Sequence, residues 1–336
     1  MRRLGLYLGR LPGFDKGGFD RRELIECVRA ADACGYDSFW LPEAWEREAF
    51  TTLTELAAHT ERIHLGTGII NVFSRSPALI AMSAATLDEI SGGRFRLGLG
   101  TSGAAVIKDF HGIAYKKPLT RLRETIQIVR TLLSGEPVNF KGECFELHRF
   151  KLGFKPLRAN VPIYVAGLSP KSLHQIGAIA DGWLPTHWPC AKLADGIALI
   201  RSGAENSKRD PDQIEIAPFV NVVVSDDSDK ARNQARLPLA YYIGGMGDYY
   251  LASLSRLGFA DEAAHVRELW QDGRPRRAIA AVTDQMVDSI AICGSIESCR
   301  SRIDQMYSQG ATIPLVPIPA DGRVSEKCRT IESLIT

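Results

Sequence analysis

The sequence predicts an α/β fold of the (β/α)8 (TIM) barrel type with insertions. Eight short β-like runs alternate with amphipathic stretches across 336 residues, a pattern that points to parallel strands joined by crossover helices. In the amphipathic stretches apolar residues recur every three or four positions, as at Leu122, Ile126, Val129 and Leu133, the spacing of a helix with one buried face. Several stretches end in glycine, at Gly35, Gly92, Gly135 and Gly310, where a helix stop favours a residue without a Cβ.

The first unit is LGLYLG (4–9) followed by RRELIECVRAADACG, and the second is YDSFWL (36–41) followed by TTLTELAAHT. IHLGTGI (63–69) precedes PALIAMSAATLDEISGG, and RFRLGLG (94–100) precedes LTRLRETIQIVRTLLSG. VPIYVAG (161–167) leads into PKSLHQIGAIA, and GWLP (182–185) into CAKLADGIALIRSGAENS. IEIAPFVNVVV (214–224) and TIPLVPI (312–318) complete the set, with ESCRSRIDQMYSQG before the last strand. Two segments do not fit a minimal unit. NFKGECFELHRFKLGFKP (139–156) reads as a short hairpin, and about 226–295 reads as inserted helices, including YYIGGMGDYYLASLSRLGF and DEAAHVRELW. No internal repeat or low-complexity linker divides the chain, so one domain over 1–336 is expected.

Composition removes several classes of function. A net charge of +2, from 41 basic and 39 acidic residues, leaves no electrostatic footprint for nucleic acid or an anionic membrane. No apolar run approaches the length of a membrane span, and MRRLGLYLGR is too short in its apolar part for a signal peptide. The seven cysteines are odd in number and lack CxxC spacing, and the seven histidines form no HxH or HxxxH pair. A disulfide framework and a metal centre are therefore not expected, and reduced thiols fit a cytoplasmic protein.

In a barrel, chemistry belongs to the loops after the C-terminal strand ends. Those positions hold Gly9 and Arg10; Pro42, Glu43 and Trp45; Gly68, Ile69 and Asn71; Gly100, Thr101, Ser102 and Gly103. The later strand ends hold Ala166, Gly167, Leu168 and Ser169, then Pro185, Thr186, His187 and Trp188. Gly66 and Gly68 lie two apart and face the same side of their strand. They suit either close packing inside a barrel or a strand end shaped to lie against a flat ligand. AGLSPKSL suits either ordinary helix capping by Ser169 or an anion site in which Lys171 adds charge to free N–H groups. LGLGTSG is glycine-rich but has neither GxGxxG nor the P-loop lysine. Glu43 with Trp45, and His187 with Trp188, read as a polar anchor beside a stacking wall or as an ordinary solvated or packed pair.

As a whole, GTGIINVFSRSPALIAMSAATLDEISGGRFRLGLGTSG (66–103) resembles the core of the bacterial luciferase-like superfamily. The likeness is to the branch that uses the deazaflavin coenzyme F420, which includes methylenetetrahydromethanopterin reductases. YDSFWLPEAWEREAFTTL (36–53), VPIYVAGLSPKSLHQIGAIADGWLP (161–185) and GGMGDYYLASLSRLGF (244–259) carry the same pattern in order. The resemblance implies a cofactor cradle at Gly68 and Ile69, joined by a non-prolyl cis peptide bond, with Asn71 beside it. It implies a phosphate site at Ala166, Gly167, Leu168, Pro185 and Thr186, and contacts from Thr101 and Ser102 along the ribityl chain. The pocket for a small-molecule substrate would involve Trp45, His187 and Trp188, and Glu43 becomes the candidate proton donor or ring-polarising group. Relatives that oxidise glucose 6-phosphate carry an Asp-His pair after strand two and a Glu after strand four. Here Pro42-Glu43 and Thr101-Ser102-Gly103-Ala104 stand instead, which disfavours sugar-phosphate oxidation.

The resemblance thus implies hydride transfer between F420 and a small organic substrate, as a reductase of an activated C=C or C=N bond. An FMN-dependent monooxygenase and a non-catalytic ligand-binding barrel are the alternatives. Family habit and the apolar face of ALIAMSAATL imply a homodimer. Gly167→Val is expected to weaken deazaflavin binding at least tenfold, about 1.4 kcal/mol or more, while changing apoprotein stability far less than cofactor affinity.

Overall fold

The computed structural model describes residues 2–9, 11 and 20–335, so Arg10 lies outside the described residues. The strands are β1 (Gly5–Tyr7), β2 (Ser38–Leu41), β3 (His64–Thr67), β4 (Ile70–Asn71), β5 (Phe95–Gly100), β6 (Val138–Lys141), β7 (Glu146–Phe150), β8 (Ile163–Val165), β9 (Gly182–Trp183), β10 (Glu215–Ile216), β11 (Asn221–Val224), β12 (Ala291–Gly294) and β13 (Leu315–Pro317). A curled sheet runs in the order β10-β9-β8-β5-β3-β2-β1-β13, every pair parallel. Backbone bonds close it. Ile313 N–H donates to Ile216 O at 3.1 Å, Leu315 N–H to Pro218 O at 2.8 Å, and Val220 N–H to Leu315 O at 2.9 Å.

The crossover helices are α1 (Arg21–Cys34), α2 (Ala49–Ala58), α3 (Pro77–Ile90), α4 (Pro118–Leu133), α5 (Pro170–Ile179) and α6 (Leu193–Asn206). Gly35, Gly92, Gly135 and Gly310 all have positive φ, as their place at helix stops requires. The hairpin expected over 139–156 is the antiparallel pair β6–β7.

Two expectations change. The run 214–224 is not one strand: Pro218, which cannot donate to a ladder, separates β10 from β11. β11 then leaves the barrel to pair with β12. The segment 226–295 carries helices α7 (Ser228–Gly245), α8 (Asp248–Arg256), α9 (Ala260–Gln271), α10 (Pro275–Ala281) and α11 (Asp284–Ile290), but it ends in strand β12. These helices bury their own apolar cluster, including Leu239, Ile243, Leu254, Phe259, Val266 and Met286. Two final helices, α12 (Ile296–Ser308) and α13 (Val324–Ile335), flank β13. Among the described residues no helix is long and apolar enough to cross a membrane.

The barrel interior is layered. At the N-terminal end Arg96 Nη1 donates to Asp37 Oδ2 at 2.6 Å and Arg3 Nε to Asp37 Oδ1 at 2.7 Å. Arg3 also pairs with Glu215, which accepts from the Tyr164 hydroxyl. Above this lie Trp40 and Tyr164, fully buried and edge-to-face with centroids 4.9 Å apart. Glycines of neighbouring strands make room for them: a Cβ on Gly66 would stand 2.3 Å from the Trp40 ring, and one on Gly182 would stand 2.1 Å from Tyr164. The uppermost layer is Tyr7, Ile69, Ala166 and Phe219.

Burial alone would raise the Asp37 carboxyl, but the Arg96 and Arg3 guanidiniums outweigh it and hold the group below its ordinary range. A depressed folded-state value gives stability that is present above the unfolded value, near 4, and is lost as pH falls through the folded one. Asp37→Asn leaves buried guanidinium charge uncompensated, so unfolding at pH 7 should show a loss of about 3 kcal/mol. The same variant should lose less stability than the parent between pH 5 and pH 3. An unchanged acid limb would assign acid sensitivity to other carboxylates.

Candidate functional site

A cavity of about 1270 Å³ opens at the C-terminal strand ends. Its floor is the uppermost interior layer, and α7, α8 and the turn between them supply one wall through Tyr242, Met246, Tyr249 and Tyr250.

Of the residues expected at the site, Glu43, Gly68, Ile69, Thr101, Ser102, Ala166, Gly167, Leu168, Thr186 and His187 line this cavity. The others do not. Asn71 is buried, and its Oδ1 accepts from the N–H groups of Phe73 (2.9 Å) and Ser74 (2.8 Å), so the side chain is spent on the turn after β4. Pro185 is buried behind the wall, with its carbonyl accepting from Phe219 N–H at 2.8 Å. Trp45 is exposed to solvent. Trp188 packs edge-on against Trp183, centroids 5.2 Å apart, and donates to Lys192 O.

No cis peptide bond occurs among the described residues, so Gly68–Ile69 is trans, against the expectation from resemblance. The irregularity after β3 is held by ordinary bonds instead. Gly68 N–H donates to Leu41 O at 2.7 Å, Glu43 N–H to Ile69 O at 3.3 Å, and the chain resumes pairing with β5 at Ile70. A Cβ on Gly68 would meet Pro42 N at 3.0 Å and Leu41 C at 3.2 Å. Close approach of β2 and β3 therefore requires the glycine.

Glu43 is fully engaged. Arg75 clamps both oxygens, Nη1 to Oε1 at 2.5 Å and Nη2 to Oε2 at 2.9 Å, and Oε2 also accepts from Ala49 N–H at 2.9 Å. With Glu48 also held by Arg75, the group ties the loop after β2 to the start of α2 and to Arg75, just before α3. This geometry makes Glu43 an anchor of the cavity rim.

At the opposite end, Ser169 and Ser172 form a reciprocal capping box on α5. The N–H groups of Gly167 and Leu168, just before the cap, have no hydrogen-bond partner among the described residues. Arg256, from the last turn of α8, donates to Leu168 O at 2.9 Å and lines the cavity. Unspent donors at a helix N-terminus beside a guanidinium suit a phosphate. Lys171 lies outside the cavity lining and is exposed to solvent.

Between these ends the walls are aromatic. The His187 ring lies 4.4 Å from Tyr242 and 5.9 Å from Tyr250, and the two tyrosines lie 4.7 Å apart. Burial pushes His187 down to about 4, so the imidazole is neutral at pH 7, and burial raises Tyr242 to about 12. The Tyr115 hydroxyl lies 3.2 Å from Ser102 O and 3.1 Å from the Tyr249 hydroxyl, which links the loop after β5 to that wall. Sequence reasoning did not single out Tyr7, Phe219, Tyr242, Tyr250, Arg75 or Arg256. The YY pairs at 241–242 and 249–250 were the available signal, but they lie in an insertion with no strand end to mark them.

A half-polar, half-aromatic cavity over a closed parallel barrel defines a cofactor-scale binding enzyme of the α/β-barrel class. The chain belongs to the luciferase-like monooxygenase family, which it matches over residues 1–312. It is 33% identical, over 99% of both chains, to a Mycobacterium tuberculosis protein named as a coenzyme F420-dependent oxidoreductase. It is 34% identical to the 5,10-methylenetetrahydromethanopterin reductase of Archaeoglobus fulgidus, over 86% of this chain and 87% of that one. The solved coenzyme F420-dependent tetrahydromethanopterin reductase of Methanopyrus kandleri superposes with a TM-score of 0.85 at 25% identity, covering 100% of this chain and 97% of its own.

Gly167 does not have a positive φ, yet a Cβ there would stand 2.8 Å from Ser172 Oγ and 2.9 Å from Ile176 Cδ1. The expectation that Gly167→Val changes apoprotein stability far less than cofactor affinity is therefore revised, because the side chain strikes the α5 cap itself. Gly167→Ala should lower apoprotein stability by about 1 kcal/mol through loss of the cap. Thermal melts unchanged by this substitution would mean that the capping serine yields freely.

Proposed function

We propose that this protein is an oxidoreductase that binds coenzyme F420 and transfers hydride to a small organic substrate, reducing an activated C=C or C=N bond. The observation that carries the reading is the pair of unspent N–H groups at Gly167 and Leu168, set at one end of a cavity large enough for a ring cofactor. Gly167 and Leu168 would hold the phosphate at the N-terminus of α5, and Arg256 adds positive charge there. Thr101 and Ser102 stand where they can meet the hydroxylated chain, and the surface formed by Gly68, Ile69 and Ala166 offers a platform for a flat ring. A bound deazaflavin supplies hydride transfer without oxygen activation, since carbon replaces the nitrogen position at which flavins support oxygen chemistry. The aromatic wall excludes water, and the Glu43–Arg75 clamp fixes the rim.

Equilibrium titration of apoprotein should show F420 binding at least tenfold tighter than FMN, a difference of about 1.4 kcal/mol. Arg256→Ala should weaken F420 binding about threefold to tenfold, the range of a partly exposed charge. Tighter binding of FMN would replace the deazaflavin reading with a flavin one, and binding of neither would remove both.

We also propose a homodimer that covers the exposed apolar side chains Leu79, Met82 and Ile90 of α3. Light scattering at micromolar concentration should give twice the mass of the 36.9 kDa chain, and Met82→Glu should shift it toward monomer. A parent protein that stays monomeric would contradict this.

A further inference from the structure

We propose that His187 is a catalytic residue whose imidazole N–H donates a hydrogen bond to the carbonyl oxygen of a planar, conjugated, uncharged substrate bound against Tyr242 and Tyr250. The proposal rests on the hydride-transfer reading above.

Four observations carry it. His187 has φ of 51°, a left-handed backbone that non-glycine residues seldom adopt. Strain of that kind persists where neighbours enforce it, and here they do. Thr186 is bridged to Phe219 on one side, and Trp188 is pinned by Trp183 and Lys192 on the other. The left-handed turn places the imidazole in the cavity lining, against the tyrosines of the insertion.

Secondly, the ring meets the two tyrosines through tilted and edge-to-face contacts. Among the described residues His187, Tyr242 and Tyr250 share aromatic contacts, but none has a hydrogen-bond partner. Polar groups kept unpaired beside a cavity are available to a ligand. Thirdly, burial keeps the imidazole neutral, so one ring nitrogen carries a proton to donate and the other accepts. Finally, the carboxylate of Glu43 has both oxygens engaged with Arg75 and Ala49 and offers no free donor.

The surrounding surface sets the substrate class. Tyr7, Ile69, Phe219, Tyr242 and Tyr250 form a slot of rings and one aliphatic chain, which favours a flat molecule. For a conjugated ketone, hydride from the reduced deazaflavin forms a C–H bond at the β-carbon and brings two electrons. The C=C π pair moves toward the carbonyl, whose oxygen gains negative charge beside the His187 N–H. The resulting enolate then takes a proton at the α-carbon from solvent at the cavity mouth. After hydride has left the cofactor, its ring N–H proton passes to the same solvent. The products are the saturated ketone and the oxidised cofactor, with no net change in protons. A neutral imidazole aimed at the atom where charge develops stabilises that step electrostatically.

The test uses full-length protein with reduced F420 and 2-cyclohexen-1-one as the probe. His187→Gly suits the left-handed backbone while deleting the ring. His187→Asn also tolerates that backbone and restores an N–H donor. Tyr242→Phe removes one hydroxyl but keeps the ring contacts with His187 and Tyr250. His187→Gly should lower kcat by about a hundredfold, within the range of removing one donor at a developing oxyanion. His187→Asn should recover about tenfold of that loss, while the Kd for F420 and the melting temperature stay close to the parent's. Tyr242→Phe should lower kcat by less than His187→Gly does, since the ring contacts remain. In 15N-histidine spectra of the loaded protein, the probe should shift the pair of ring resonances that His187→Asn removes.

Parent turnover that is unaffected by His187→Gly overturns the proposal. A loss in Tyr242→Phe equal to that in His187→Gly transfers the role to the tyrosine hydroxyl and overturns it equally. A parent that binds F420 but shows neither turnover nor a 15N shift with the probe overturns the substrate class. Failure of the parent to bind F420 is a separate result, and it removes the underlying functional reading.

Discussion

The close approach of strands across the barrel interior is the constraint on which the rest depends. Trp40 and Tyr164 occupy the centre of the barrel only because Gly66 and Gly182 have no side chains there. Large side chains on some strands and none on their neighbours allow an interior to reach native packing density. The plug separates two chemical environments. Beneath it, the charges of Arg3, Asp37, Arg96 and Glu215 satisfy one another. Above it, Tyr7, Ile69, Ala166 and Phe219 form a floor whose polar groups are few. A ligand resting on that floor meets a rigid surface backed by fully buried rings.

The fold was legible because barrel strands and helices announce themselves by period and punctuation. β2 shows why. Ser38 and Trp40 face inward while Phe39 and Leu41 join the outer apolar core, so a short run still alternates cleanly. The run 214–224 misled because eight of its eleven residues are apolar, and periodicity cannot show that Pro218 withholds a donor. β12 escaped notice because AICG is too short to stand out between a helical segment and a capping serine.

The site was legible where backbone supplies the chemistry and less so where side chains do. Gly68, Ala166, Gly167 and Leu168 line the cavity because the end of a barrel strand has only one place to go. Asn71, Trp45 and Trp188 sit equally near strand ends in sequence, yet local turns and neighbouring rings carry them elsewhere. The side-chain direction of a loop residue depends on φ and ψ values that spacing does not encode. Arg75 illustrates a further gap. It lies 32 residues from Glu43, and no local pattern could show that it would occupy both carboxylate oxygens.

The two halves of the cavity have different structural origins, and this bears on how such a protein acquires a substrate. The phosphate-type donors, the flat platform and the floor all come from barrel strand ends and from the first turn of α5. Their positions follow from closure of the sheet. Tyr242, Tyr249 and Tyr250 come from α7 and α8, helices that bury a separate apolar cluster of their own. Apart from Arg256, which reaches Leu168 O beside the α5 cap, a substitution on the cavity side of those helices can alter the slot without touching the plug or the cap. His187 stands at the seam. Its backbone belongs to the barrel, locked between Phe219 and Trp183, while its ring packs on the insertion. It is therefore the position through which the barrel scaffold meets the wall supplied by the insertion.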